Sequence, residues 1–126
     1  MPKILLVDDE EQFRTWLRIV LERAGYAVVE ATDGSSGIAL VQRDKVDVVI
    51  CDIYMPGKEG IETITELHRD YPGLKVIAVS GGTVLSEQYD ALKVVSYIGA
   101  HKILTKPFSA NDILEALAEL LSTPQD

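Results

Sequence analysis

Five short apolar runs punctuate the chain, and each gives way to a polar break and then to apolar residues at helical spacing. The runs predict strands over Lys3 to Val7, Tyr26 to Ala31, Val46 to Cys51, Leu74 to Val79 and His101 to Leu104. Val46, Val48, Val49, Ile50 and Cys51 are nearly continuous and mostly β-branched, the pattern of a central parallel strand covered on both faces. The last run is the least apolar and reads as a sheet edge. Between them, Phe13, Trp16, Leu17, Val20, Leu21 and Ala24 predict a helix stopped at Gly25. Ile38, Leu40 and Val41 predict a second, weaker one ending near Arg43. Ile61, Ile64 and Leu67 predict a third from Gly60 to about Tyr71, closed by Pro72-Gly73. A fourth is capped by Ser86, carries Tyr89, Leu92 and Val95, and stops at Gly99. A fifth begins at an acidic capping box, Ser109 with Asp112, ahead of Ile113, Leu114, Leu117, Leu120 and Leu121. Strand and helix alternate without internal repeat or long linker. The predicted class is α/β, a doubly wound five-stranded parallel sheet with helices on both faces.

Composition narrows this picture. A chain of 126 residues is expected to form one domain that buries its own core, ending in a polar tail over 122–126. The single cysteine, Cys51, lies inside an apolar run, which suits a packed residue and excludes an internal disulfide. The formal net charge of -8 argues against direct nucleic-acid binding and favours cations or basic partner surfaces. No apolar run approaches the roughly 20 residues of a membrane span, and MPKILLVDD lacks the pattern of a secretory signal. A cytoplasmic protein without membrane insertion is expected.

The candidate chemistry sits just after the strands: Asp8 and Asp9 after the first, Asp52 after the third, Ser80 after the fourth, Lys106 after the fifth. Parallel strands share one carboxyl edge, so these residues can converge in one cleft. Two carboxylates about 4 Å apart repel by about 4 kcal/mol at an effective dielectric near 20, so clustered acids demand a cation. Mg²⁺ prefers oxygen ligands and bridges carboxylates to phosphate. With the ion bound, an oxygen of Asp52 could attack phosphorus, Lys106 could neutralise a phosphoryl oxygen, and Ser80 could donate a hydrogen bond to another. Glu10 and Glu11 read as helix-start acids. His68 and His101 are too isolated in sequence for a metal site, and Trp16 reads as core or helix-face packing.

The segments ILLVDDEE, VICDIYMPGKEG, AVS and ILTKPF together resemble the receiver domain of bacterial two-component response regulators, over about residues 3 to 121. The resemblance implies a flavodoxin-like sheet of order 2-1-3-4-5. It implies Asp52 as phosphoacceptor, with Asp9 and Asp52 as direct Mg²⁺ (or Mn²⁺) ligands, Asp8 as a ligand through water, and the Tyr54 carbonyl completing the set. It further implies a cis Lys106-Pro107 bond. The phosphoryl donor would be a histidine kinase or histidine phosphotransfer protein. The face made by the fourth helix, fifth strand and fifth helix would answer to a downstream partner or form a homodimer. On this resemblance the chain is a phosphorylation-dependent switch that assists its own phosphorylation and dephosphorylation, and is not a turnover enzyme.

The chain also departs from the family pattern. Ile103 stands where the family usually has Tyr or Phe, and His101 and Lys102 stand at positions commonly acidic, so a different output surface is expected. The segment from Ser80 to Lys106 is about four residues longer than usual, roughly one helical turn. Val94, Val95, Tyr97 and Ile98 within it are open to two readings, a docking or dimer patch and the packing of a longer helix. Tyr54 can be read as a shield over the site or as an exposed aromatic without a role. A second functional reading is an interaction module that binds through the Ile103 face regardless of phosphate. A phosphatase using an aspartate nucleophile would want an acid two residues after Asp52, where Tyr54 stands, and neither nucleotide-binding glycine motif occurs.

Overall fold

The computed structural model describes residues 2–53, 59–81 and 99–122. Strand β1 (Lys3–Val7) is followed by α1 (Glu11–Arg23), β2 (Ala27–Ala31), α2 (Gly34–Arg43), β3 (Val48–Asp52), α3 (Glu59–Asp70), β4 (Lys75–Ser80), β5 (Lys102–Thr105) and α4 (Ala110–Ser122). The helix labelled α4 is therefore the fifth one read from the sequence. The fourth, with Ser86, lies outside the described residues, as do Tyr54, the patch of Val94, Val95, Tyr97 and Ile98, and the tail from 123 onward.

All four strand pairings are parallel, in the order β2-β1-β3-β4-β5. The period-2 alternation of the strands sorts the core into two layers. Leu5, Val7, Val49, Cys51, Val76 and Ala78 face Ile64 and Leu67 of α3, with Ile38 and Val41 of α2 packed alongside. Ile4, Leu6, Val48, Ile50, Ile77 and Val79 face Leu17 and Leu21 of α1 and Ile113, Leu117 and Leu120 of α4. All five residues of β3 are buried, as its unbroken apolar run requires of a strand covered on both sides. The expected flavodoxin-like order and two-faced sheet are the observed ones. Among the described residues no helix is long and apolar enough to cross a membrane.

The signals at Gly25 and at Ser109 with Asp112 act as the sequence led us to expect. Gly25 takes φ +99°, a conformation that L side chains rarely adopt, and ends α1. Asp33 caps α2 by accepting the Ser36 N–H at 2.8 Å, and this bond holds its carboxyl below the usual range. The capping box of α4 closes reciprocally: Asp112 N–H donates to Ser109 Oγ at 3.1 Å and Ser109 N–H to Asp112 Oδ2 at 3.0 Å.

Three features differ from the sequence reading. The strand expected from Val46 begins at Val48, where pairing with Ile4 of β1 starts. Ile61, read as a core position of the third helix, is 38% exposed, because the buried stripe of α3 runs through Gly60, Thr63, Ile64 and Leu67. Lys75, unremarkable in sequence, is buried at the start of β4, and its ammonium donates to the Leu120 carbonyl in the last turn of α4. Beside it, Val76 N–H donates to Nδ1 of His101 at 3.1 Å while His101 N–H donates to the Val76 carbonyl at 2.8 Å. An imidazole thus supplies an acceptor next to the first ladder bond of β5. Burial pushes the His101 pKa down, and the charges of His68 and Lys75 push it further, so the two histidines that are distant in sequence interact in the fold.

Candidate functional site

The carboxyl edge of the sheet gathers residues from four strands. Asp8 follows β1, Asp52 closes β3, Ser80 closes β4 and Lys106 follows β5. Register carries them to one level: Val7 pairs with Cys51, Asp52 with Val79, and Ser80 with Thr105. One carboxylate oxygen each of Asp8, Asp9 and Asp52 lies within 4.8 Å of the others. Asp8 and Asp52 are 4% and 5% exposed, whereas Asp9 is open to solvent. Lys106 Nζ sits 3.2 Å from Asp8 Oδ2 and 3.2 Å from Asp52 Oδ2. Burial works against the Lys106 charge, but Asp52 and Asp8 outweigh it and hold the ammonium pKa above its ordinary value.

Asp8 and Asp52 are each held by a local frame. The Asp8 N–H donates to the Ala31 carbonyl at 3.2 Å, its Oδ1 accepts the Glu10 N–H at 2.8 Å, and its carbonyl accepts Arg14 Nη1 at 2.7 Å. Arg14 is steadied by Glu30 of β2 at 3.0 Å, and Glu30 also receives Arg18. The turn carrying Asp8 and Asp9 is thus pinned by α1 and β2 together. Asp52 is fixed from below: the Ile53 N–H donates to the Val79 carbonyl at 2.9 Å, and a Cβ at Gly60 would stand 2.2 Å from the Asp52 carbonyl oxygen. Only glycine lets the first turn of α3 approach the Asp52 backbone this closely. Cys51, next in chain, is fully buried, and burial together with the Asp52 and Asp8 charges pushes its thiol pKa far up, so it is a core residue without thiolate character.

Ser80 is 3% exposed at the end of β4, and its carbonyl accepts the Lys106 N–H at 2.8 Å. The Lys106-Pro107 peptide bond is cis. On the far side of β5, Lys102 pairs with Glu119 of α4 and His101 is exposed. Ile103 packs toward the layer of α2 and α3.

Two residues that contact the Lys106 ammonium carried other readings in the sequence. Glu10, read only as a helix-start acid, does occupy the N-cap of α1, but its carboxylate also stands 3.6 Å from Lys106 Nζ. Phe13, read as one of the apolar positions of the first helix, places its ring centroid 4.0 Å from the same ammonium. No sequence signal marks either role, since both depend on how α1 crosses the end of β5. A cleft of about 450 Å³ lined by Glu10, Phe13, Trp16, Lys106, Pro107 and Phe108 opens beside them.

Asp8, Asp9 and Asp52, with one ammonium beside two of them, leave excess negative charge that oxygen-preferring divalent cations are suited to neutralise. The donor set is all oxygen, so it fits a hard cation far better than a thiolate or imidazole metal. Comparison with known proteins agrees with this geometry. The family described as response regulator receiver domain matches residues 4–118. The chemotaxis protein CheY of Thermotoga maritima is 34% identical over 116 residues, covering 91% of this chain and 93% of that protein. The alkaline phosphatase synthesis transcriptional regulatory protein PhoP of Bacillus subtilis is 33% identical over 88% of this chain and 45% of its own length. The chain spans about half the length of the curated transcriptional regulators it matches. A CheY-like receiver domain from Methanospirillum hungatei superposes with a TM-score of 0.87 at 30% identity, covering 97% of this chain and 94% of that one. The chain belongs to the response regulator receiver domain family.

Proposed function

We propose that this chain is a phosphorylation-dependent switch of a two-component system, a single receiver unit over about residues 3 to 121 whose phosphoacceptor is Asp52. The observation that carries the reading is the position of Lys106 Nζ, 3.2 Å from both Asp8 Oδ2 and Asp52 Oδ2 although 98 and 54 residues separate them in sequence. Asp9 and Asp52, with Asp8 behind them, would hold Mg²⁺ or Mn²⁺. When bound, that ion neutralises the acids and the incoming phosphoryl oxygens.

An Asp52 carboxylate oxygen attacks the phosphorus of a phosphohistidine on a kinase or phosphotransfer protein. The O–P bond forms as the P–N bond breaks, and the imidazole leaves with the electron pair and its proton. Lys106 gives up its contact with Asp52 and takes one phosphoryl oxygen, while the Ser80 hydroxyl at the neighbouring strand end donates to another. Asp8, pinned by Glu10 and Arg14, keeps its place through the exchange. Readout belongs to the β5 and α4 face, where Lys102 pairs with Glu119 and His101 is exposed, and a downstream protein or a second copy of the chain would dock there. Ile103 packs inward, so the switch is read through aliphatic repacking instead of a swinging phenol. A cytoplasmic setting, where kinase and Mg²⁺ are available, suits this cycle.

Incubation with acetyl phosphate and Mg²⁺ followed by intact mass measurement tests the proposal. Wild-type protein gains one phosphate mass, and the gain is absent without Mg²⁺ and in Asp52→Asn. Unchanged labelling of Asp52→Asn would remove the reading.

A further inference from the structure

Lys106 has a neighbour that the phosphoryl-transfer scheme does not use. The Phe13 ring lies with its centroid 4.0 Å from the ammonium, on the α1 side. Among the described residues, the other contacts of that ammonium are carboxylates: Asp8 and Asp52 at 3.2 Å and Glu10 at 3.6 Å. The ring is itself held. It meets Phe108 edge-on at 5.6 Å and 88°, and Trp16 at 5.8 Å, and Trp16 meets Phe108 at 6.0 Å. Phe108 stands two residues beyond Lys106, so the trio ties α1 to the segment that carries the lysine.

We propose that Phe13 is the positioning residue for Lys106, an aromatic face that holds the ammonium over the acceptor carboxylate while its hydrogen-bond partners change. The inference rests on the reading of Asp52 as phosphoacceptor. A lysine stem carries about 2 kcal/mol of rotamer entropy, and a lysine that must exchange one oxygen partner for another is loosest during the exchange. Asp52 cannot hold it then, because it is the group being modified, and among the lysine's carboxylate partners Asp8 and Glu10 alone remain. The negative face of an aromatic ring can hold it, since it attracts the cation without offering an oxygen that competes with phosphate. An aliphatic side chain of similar size would fill the space but supply no such attraction.

The experiment measures the rate of acetyl-phosphate labelling in Mg²⁺ for wild type, Phe13→Leu and Phe13→Tyr, alongside thermal midpoints and the proton shifts of the Lys106 ε-methylene. Leucine is expected to slow labelling roughly three- to tenfold, the range of an ordinary cation–π contact. It should also remove the upfield ring-current shift of the methylene, while tyrosine restores both. Mg²⁺ affinity without phosphate should be the same in all three. Equal labelling rates in wild type and Phe13→Leu would overturn the inference, and so would a loss in Phe13→Leu that Phe13→Tyr shares. A wild-type protein that accepts no phosphate would instead overturn the reading of Asp52, a distinguishable result. If Phe13→Leu does not fold, Phe13→Met provides the aliphatic arm under the same criteria.

Discussion

Two lysines are withdrawn from solvent at opposite ends of the same sheet, and their surroundings differ in kind. Lys75, 6% exposed at the amino end of β4, meets the backbone: its ammonium donates to the Leu120 carbonyl and closes the last turn of α4. Lys106, with its side chain 18% exposed at the carboxyl edge, meets a surplus of carboxylates from segments distant in sequence. A buried cation matched to a helix end stabilises one arrangement. A buried cation set among more anions than it can neutralise leaves an excess of negative charge that a further cation is suited to offset. The first arrangement serves the fold, and the second is the one that the proposed phosphoryl transfer would use.

Substitutions should separate the two roles. The largest effect is expected for Lys106→Met, which should slow acetyl-phosphate labelling by about a hundredfold, the usual scale for losing one preorganised electrostatic contact to a reacting group. Timed intact mass spectra read this directly. Lys75→Ala should leave the labelling rate unchanged but cost about 2 kcal/mol of stability in a urea titration, because the end of α4 loses its donor and a buried stem is deleted. If Lys75→Ala slows labelling as much as Lys106→Met, the two ends are not separable and the distinction fails.

Asp9→Asn probes the excess charge itself. Wild-type protein should melt higher in Mg²⁺ by an amount that grows with the logarithm of ion concentration, since the native state alone offers the site. Asp9→Asn should melt at least as high as wild type without metal, because one repulsive charge is gone, and should lose most of the Mg²⁺ response. Calorimetric scans at several ion concentrations check both. A full Mg²⁺ response in the variant would place the ion elsewhere.

The smallest effect concerns the end of the sheet that holds Lys75. His101 accepts the Val76 N–H through Nδ1, and its pKa is lowered by burial first and then by His68 and Lys75. A histidine with a folded pKa below its unfolded value binds fewer protons when folded, so stability falls as pH drops through about 6.5 toward the folded value. Urea midpoints at pH 7.5 and 5.5 should therefore converge more in His101→Gln than in wild type, by a few tenths of a kcal/mol at this partly exposed position.

Much of this was legible in the sequence. The apolar runs mark the five strands, and the polar breaks after them place Asp8, Asp52, Ser80 and Lys106 at one edge. The Ser109 and Asp112 spacing gives the capping box with its partners. What escaped depends on how elements cross. Nothing local distinguishes Phe13 or Arg14 from other positions of α1, and only the passage of that helix over the ends of β1 and β5 brings one to Lys106 and the other to the Asp8 carbonyl. Lys75 escaped for the same reason, since its acceptor lies 45 residues away. Ile61 misled because apolar spacing alone does not fix the rotation of a helix, and the close approach of Gly60 to Asp52 does.

Asp52 as the acceptor is tested by labelling the protein with acetyl phosphate in Mg²⁺, reducing it with borohydride, and sequencing the peptides by mass. An acyl phosphate on aspartate is reduced to homoserine, which marks the acceptor permanently. Homoserine is expected at position 52 alone, dependent on Mg²⁺. Homoserine at Asp8 or Asp9, or no homoserine in a protein that has gained phosphate, would contradict that expectation.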